Sequence, residues 1–243
     1  MRTPPLSLAD RVLYRDGLVL VIDKPAGVPV HAGPGGGLNL EAGFDALRFG
    51  LPRPPALAHR LDRDTSGCLA LGRHPKALRR LGRLFSEGLT GKTYWAVVVG
   101  APPQDSGTID LALRKESRKE TGWKMVPDPE GQSAITDYEV KGRSAELTWI
   151  EFRPRTGRTH QIRVHAAALG CPVLGDPVYG PKPPRAPLHL HSRAIRLPLY
   201  PAKPPIDVTA PPPRHMLDAL RACGYGAEPA NDSSVIPSAA RNP

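Results

Sequence analysis

The sequence predicts an α+β domain on a mostly antiparallel, mixed sheet flanked by helices and loops, and three observations carry that prediction. Short apolar runs rich in β-branched residues recur at 18–22, 68–71, 94–99, 135–140 and 145–152. Helical patterns are confined to 40–49, 75–85 and 160–169. The two kinds do not alternate regularly, as a parallel βαβ sheet requires.

The elements follow in chain order. Leu18-Val19-Leu20-Val21-Ile22 lies between Asp16-Gly17 and Lys24-Pro25 and reads as a buried strand. A helix is expected over 40–49, then a strand over Cys68-Leu69-Ala70-Leu71. From Pro75 to Phe85, Leu78, Leu81, Leu84 and Phe85 keep helical spacing while Arg79, Arg80 and Arg83 occupy outer faces. Tyr94 to Val99 is a strand leading into a turn region at 100–107. The basic stretch 115–124 reads as a phosphate-touching loop or a solvated hairpin. Ile135–Val140 and Ala145–Phe152 pair around Lys141-Gly142-Arg143. His160–Leu169 is a helix with Gly170 placed as its C-cap, and 188–197 is a further strand.

Length 243 suits one large domain with ample chain for a core. The expected division is an N-terminal extension at 1–11, a domain at 12–223 and a tail at 224–243 that loses all periodicity. Lys and Arg number 33 against 23 Asp and Glu, a formal charge of +10 that favours a polyanionic partner. Cys68, Cys171 and Cys223 are scattered, without the C-x-x-C spacing of a zinc site or the density of a disulfide framework. The first ten residues lack the apolar core of a signal peptide, and no window reaches membrane-spanning length. A cytoplasmic, monomeric protein is therefore expected.

The most informative stretch is His59-Arg60-Leu61-Asp62-Arg63-Asp64-Thr65-Ser66-Gly67, which sets an aspartate between two arginines ahead of small turn formers. It resembles the signature of the RluA-type pseudouridine synthases, H-R-L-D-x-x-T-S-G, at every specified position. Three further blocks fit that family in its order: Asp23 to His31, Lys92-Thr93-Tyr94, and Arg155 to His165 continuing to Gly175-Asp176-Pro177-Val178-Tyr179-Gly180. Four ordered motifs are far more specific than one.

The resemblance implies the pseudouridine synthase fold with an active site in a central cleft, RNA as partner, and isomerisation of uridines in rRNA or tRNA. It assigns the nucleophile to Asp62, the aspartate-pairing cation to Arg163, and the uracil-stacking tyrosine that assists proton removal to Tyr94. Leu190 packs against the other side of the base, and Arg60 fills the stack where the uridine flips out. His59 and Thr65 belong to the RNA-binding loop, His59 as an ordering hydrogen-bond partner. The reaction consumes no external reactant, so no cofactor or metal is expected. His160 and His165 stand five apart, off the spacing of a helical zinc pair.

Asp62-x-Asp64 suggests a metal-dependent phosphotransferase, but Ser66 and the polar His59-Arg60 depart from that pattern. Gly91-Lys92-Thr93 imitates a phosphate-binding loop, yet Ser86 stands where its first glycine is needed. A non-catalytic RNA-binding protein fits the charge equally well, and the joint presence of Asp62, Tyr94 and Arg163 counts against it. Family members often begin with a separate RNA-binding domain, whereas Tyr14-Arg15-Asp16-Gly17 enters the catalytic region almost at once. Target choice is then expected to rest on the cleft and its loops.

Overall fold

The computed structural model describes residues 7–32, 36–118, 122–184 and 186–226, the side chain of Arg118 excepted. The proposed disordered tail therefore lies almost wholly outside the described residues. The strands of the first half are β1 (Val12–Arg15), β2 (Val19–Lys24), β3 (Ala56–Leu57), β4 (Ser66–Gly72), β5 (Gly91–Val99) and β6 (Ser106–Asp110). Then come β7 (Leu113–Arg118), β8 (Gly122–Pro127), β9 (Ile135–Arg143), β10 (Leu147–Pro154), β11 (Leu190–Leu197) and β12 (Ile206–Thr209). Three α-helices join them: α1 (Pro75–Ser86), α2 (Gln161–Ala168) and α3 (Arg214–Ala222).

The main sheet runs β1-β2-β4-β11-β5-β10-β9-β6, with β12 on β11 and β3 on β4, while β7 and β8 form a separate hairpin. Its ladders are antiparallel except at the centre, where β4 and β11 run parallel through His191 opposite Ser66 and Ser192 opposite Gly67. That pairing sets the start of β4, the start of β11 and Tyr94 of β5 side by side, since Ser192 also faces Tyr94. Gly67 permits the approach. Its φ is +103°, and a Cβ there would stand 2.2 Å from the Ser192 carbonyl oxygen.

Alternate residues of each strand feed opposite faces. On one face Leu20, Ile22, Leu69 and Leu71 pack with Phe44 and Leu47, and Ala96, Ile150, Phe152 and Leu190 pack with Ile162 and Ala166 of α2. Tyr94 touches both groups. On the other, Val19, Val21, Cys68 and Ala70 meet Leu81 of α1, while Trp95, Val97 and Trp149 meet Met216 and Leu220 of α3.

The helix expected at 40–49 is a shorter 3-10 segment, Glu41–Leu47. Gly43 weakens α propensity there, and Leu8 packs against it so closely that a Cβ would lie 2.8 Å from a Leu8 methyl. Leu8 is itself buried in the core and Tyr225 packs beside Trp95 and Trp149, so the packed body reaches beyond 12–223 on both sides. The turn expected at 141–143 is displaced, because β9 continues to Arg143 and the chain reverses over 144–146. Gly170 does end α2, at φ +79°.

Candidate active site

The loop bearing Asp62 connects β3 to β4 and is held from below by Lys24, the last residue of β2. Lys24 is fully buried. Its ammonium donates to the carbonyls of Pro25 at 2.9 Å, Arg63 at 2.8 Å and Thr65 at 2.9 Å. Burial draws its pKa down to about 8, against the pull of Asp64 and Asp62. The Thr65 amide closes the turn on the Asp62 carbonyl at 3.2 Å. His59 braces the entry: its Nε2 accepts from the Ala70 amide at 2.9 Å, and its ring stacks on Phe85 with centroids 4.4 Å apart. Burial, with the nearby Lys92 charge, lowers its pKa to about 3, so it remains neutral.

The facing wall is the N-terminal end of α2. Arg163 Nη1 lies 3.8 Å from Asp62 Oδ2, and His160 Nε2 lies 4.0 Å from the same oxygen. The resemblance implied that Arg163 pairs with the Asp62 carboxylate; it does stand beside it, but its bidentate grip falls on Asp176. Arg163 Nε and Nη2 donate to Asp176 at 2.7 and 2.8 Å. A directed pair at that distance outweighs an ion contact of 3.8 Å to a carboxylate that is 27% exposed. Asp176 also accepts from the amides of Val178 and Tyr179. Burial pushes its carboxyl pKa up, but Arg163 and these amides outweigh it and hold it below the ordinary value. Asp176 thus fixes the guanidinium, whose remaining Nη1 faces Asp62.

His160 occupies the left-handed region at φ 55° as the residue before α2. Its Nδ1 lies 2.9 Å from the Tyr179 hydroxyl, which accepts from the Met125 amide at 2.9 Å. Burial lowers the His160 pKa despite Asp62, which makes the ring neutral at pH 7. Gln161 ties the 155–159 loop to β9: its amide donates to the Ile135 carbonyl and Thr136, and its oxygen accepts from Thr156 and the Arg158 amide.

Between these walls lies a cleft of about 650 Å³ lined by His59, Arg60, Asp62, Thr65, Tyr94, Arg163 and Leu190, among others. Its size suits one nucleotide-sized ligand. Every site residue expected from the sequence therefore meets in one cavity. Burial, joined by the charge of Asp62, raises the Tyr94 pKa, so at neutral pH it is a phenol offering a ring face and a hydrogen-bonding oxygen. Arg60 donates to Thr159 Oγ1 at 2.8 Å, bridging the walls. The Thr65 hydroxyl is buried without a hydrogen-bond partner.

Lys24, Asp176, His160 and Gln161 all stand inside the quoted motifs, but sequence reasoning gave none of them a role. A lysine ending a β-branched run, and an aspartate flanked by glycine and proline, were the signals available.

A sheet cleft that sets the Asp62 carboxylate before a buried cation and beside the ring of Tyr94 has the makings of an enzyme site. The family described as RNA pseudouridylate synthase matches residues 18–168. A relative in Zymomonas mobilis, described as an uncharacterized RNA pseudouridine synthase, is 47% identical over 217 residues, covering 87% of this chain and 97% of its own. The ribosomal large subunit pseudouridine synthase D of Xanthomonas campestris is 41% identical over 181 residues, covering 72% of this chain and 53% of its own. Among solved structures, human RNA pseudouridylate synthase domain containing 4 matches with a TM-score of 0.75 and 29% identity, over 89% of this chain and 94% of that one. The chain belongs to the RNA pseudouridine synthases of RluA type, which are isomerases. No helix among the described residues is long and apolar enough to cross a membrane.

Proposed function

We propose that the protein converts uridines of ribosomal or transfer RNA to pseudouridine, with Asp62 as the nucleophile. The reaction exchanges the N1–C1′ bond for a C5–C1′ bond and moves a proton from C5 to N1, so reactants and products balance without an added reagent. The observation that carries this reading is Asp62 Oδ2, 3.8 Å from Arg163 and inside the cleft with Tyr94 and Leu190. In that arrangement Arg163 sets a permanent positive charge before the carboxylate, and Asp176 keeps the guanidinium from swinging away. Tyr94 stacks on the uracil from one side and Leu190 packs on the other. Arg60 leaves Thr159 and fills the gap in the RNA stack, offsetting part of an extrusion cost of a few kcal/mol. The name of the Xanthomonas relative favours ribosomal RNA within the substrate class.

The test is to map pseudouridines across cellular RNA with and without the gene, and then to restore the missing sites with purified protein in EDTA. Loss and restoration at defined uridines are expected. An unchanged pseudouridine map, together with inert purified protein, would refute the proposal.

A further inference from the structure

The hairpin β7–β8 stands beside the active site and carries an aromatic side chain that the chemistry above does not use. Trp123 is 45% exposed, whereas Trp95 and Trp149 are 5% and 8% exposed in the core. The hairpin does not need this ring to stay in place, because Leu113 and Met125, on the same face, are buried against Val164 of α2. Trp123 instead lies flat on His160, centroids 5.1 Å apart and planes 26° apart. His160 in turn stands 4.0 Å from Asp62. One imidazole ring therefore separates Trp123 from the reacting carboxylate.

A cation sits over the ring. Lys115 Nζ lies 5.0 Å from the Trp123 ring centroid, while Arg114 pairs with Asp128 at 2.6 Å and Lys124 lies 3.9 Å from Glu116. At an exposed ring a cation–π contact is weaker than the stacking of a base on an aromatic side chain. A base therefore displaces Lys115 from the ring, and the freed ammonium is available to a phosphate. An exposed ring backed by a fixed imidazole, rimmed by lysine and continuous with the cleft, has the features of a sequence-tolerant single-strand site.

We propose that Trp123, seated on His160 and flanked by Lys115, is a stacking platform for a base of single-stranded RNA adjacent to the target uridine. This rests on the RNA-modifying reading above and extends it to a neighbouring nucleotide. The platform selects an unpaired neighbour, because a base held in a duplex cannot reach the ring.

The experiment titrates the full-length protein with a short uridine-rich single-stranded RNA, reading tryptophan emission and affinity, and measures turnover on RNA from cells lacking the gene. Trp123 is the exposed fluorophore, so wild-type emission is quenched and Trp123→Phe removes most of that signal. Trp123→Ala binds roughly five- to a hundredfold more weakly, Trp123→Phe recovers most of the affinity, and the loss falls on KM more than on kcat. Equal affinity of wild type and Trp123→Ala would overturn the platform while leaving the catalytic reading intact. A fall in kcat with unchanged affinity would make Trp123 a prop for His160 and overturn it too. Self-association that Trp123→Ala abolishes, with RNA binding unaltered, would assign the ring to a second copy of the chain. Failure of the wild-type protein both to bind the strand and to form pseudouridine would overturn both readings.

Discussion

At the scale of single residues, Asp176 matters as much as the arginine that the motif advertises. Removing one charge from a buried, hydrogen-bonded pair costs about 3–5 kcal/mol. Asp176→Asn should accordingly lower Tm by roughly 6–20 °C and reduce turnover at least tenfold, since Arg163 loses its anchor before Asp62. Thermal melts and single-turnover assays check this, and an unchanged Tm would mean that Asp176 is not the anchor. Lys24→Met is the companion case. It leaves carbonyls of Pro25, Arg63 and Thr65 without their donor, at about 1–3 kcal/mol for each that water does not reach. Urea denaturation should show a loss of several kcal/mol, with turnover reduced as the Asp62 loop loosens. The identities of the cleft residues were legible because motif and chemistry coincide at Asp62, Tyr94 and Arg163. Their partners were not, because a buried lysine or aspartate reads in sequence like any surface charge until three-dimensional burial removes the water.

At the scale of elements, the parallel contact of β4 with β11 brings the Asp62 loop, Leu190 and Tyr94 together. Gly67→Ala tests it: the added methyl meets the Ser192 carbonyl at 2.2 Å at a φ hostile to alanine. Little folded protein, or a Tm lowered by more than about 10 °C, should result; a normal melt would mean that the strands can part locally. Strands with continuous apolar runs, such as 19–22 and 68–71, were visible in the sequence because both faces are buried. β6 was missed, since only Ile109 of its five residues is buried and the rest reads as polar loop. β12 and α3 were missed because prolines crowd Ile206–Thr209 and Pro213 precedes the helix. Met216 and Leu220, four apart and fully buried, were the overlooked signal for α3.

At the scale of the whole molecule, burial holds several histidines neutral, which ties stability to pH. His191 is depressed to about 4 and His59 to about 3, and His160, His165 and His189 are lowered as well. The unfolded chain takes up these protons first, so their contribution is fully present above about pH 6.5 and is lost as pH falls through about 4 for His191 and about 3 for His59. The unfolding free energy from denaturant titrations should decline across that window by an amount reaching about a few kcal/mol, and a flat profile would mean that the buried rings protonate in place. The α+β class with its antiparallel sheet was correctly read from strand recurrence, and the +10 charge anticipated the RNA partner of the family. The central claim is that this cleft does covalent chemistry through one carboxylate, and Asp62→Asn measured for pseudouridine formation and RNA affinity in parallel tests it most directly. Turnover below about a hundredth of wild type, with affinity within about threefold, is the predicted result, because phosphate contacts dominate binding; a variant that still forms pseudouridine at near wild-type rates would contradict it.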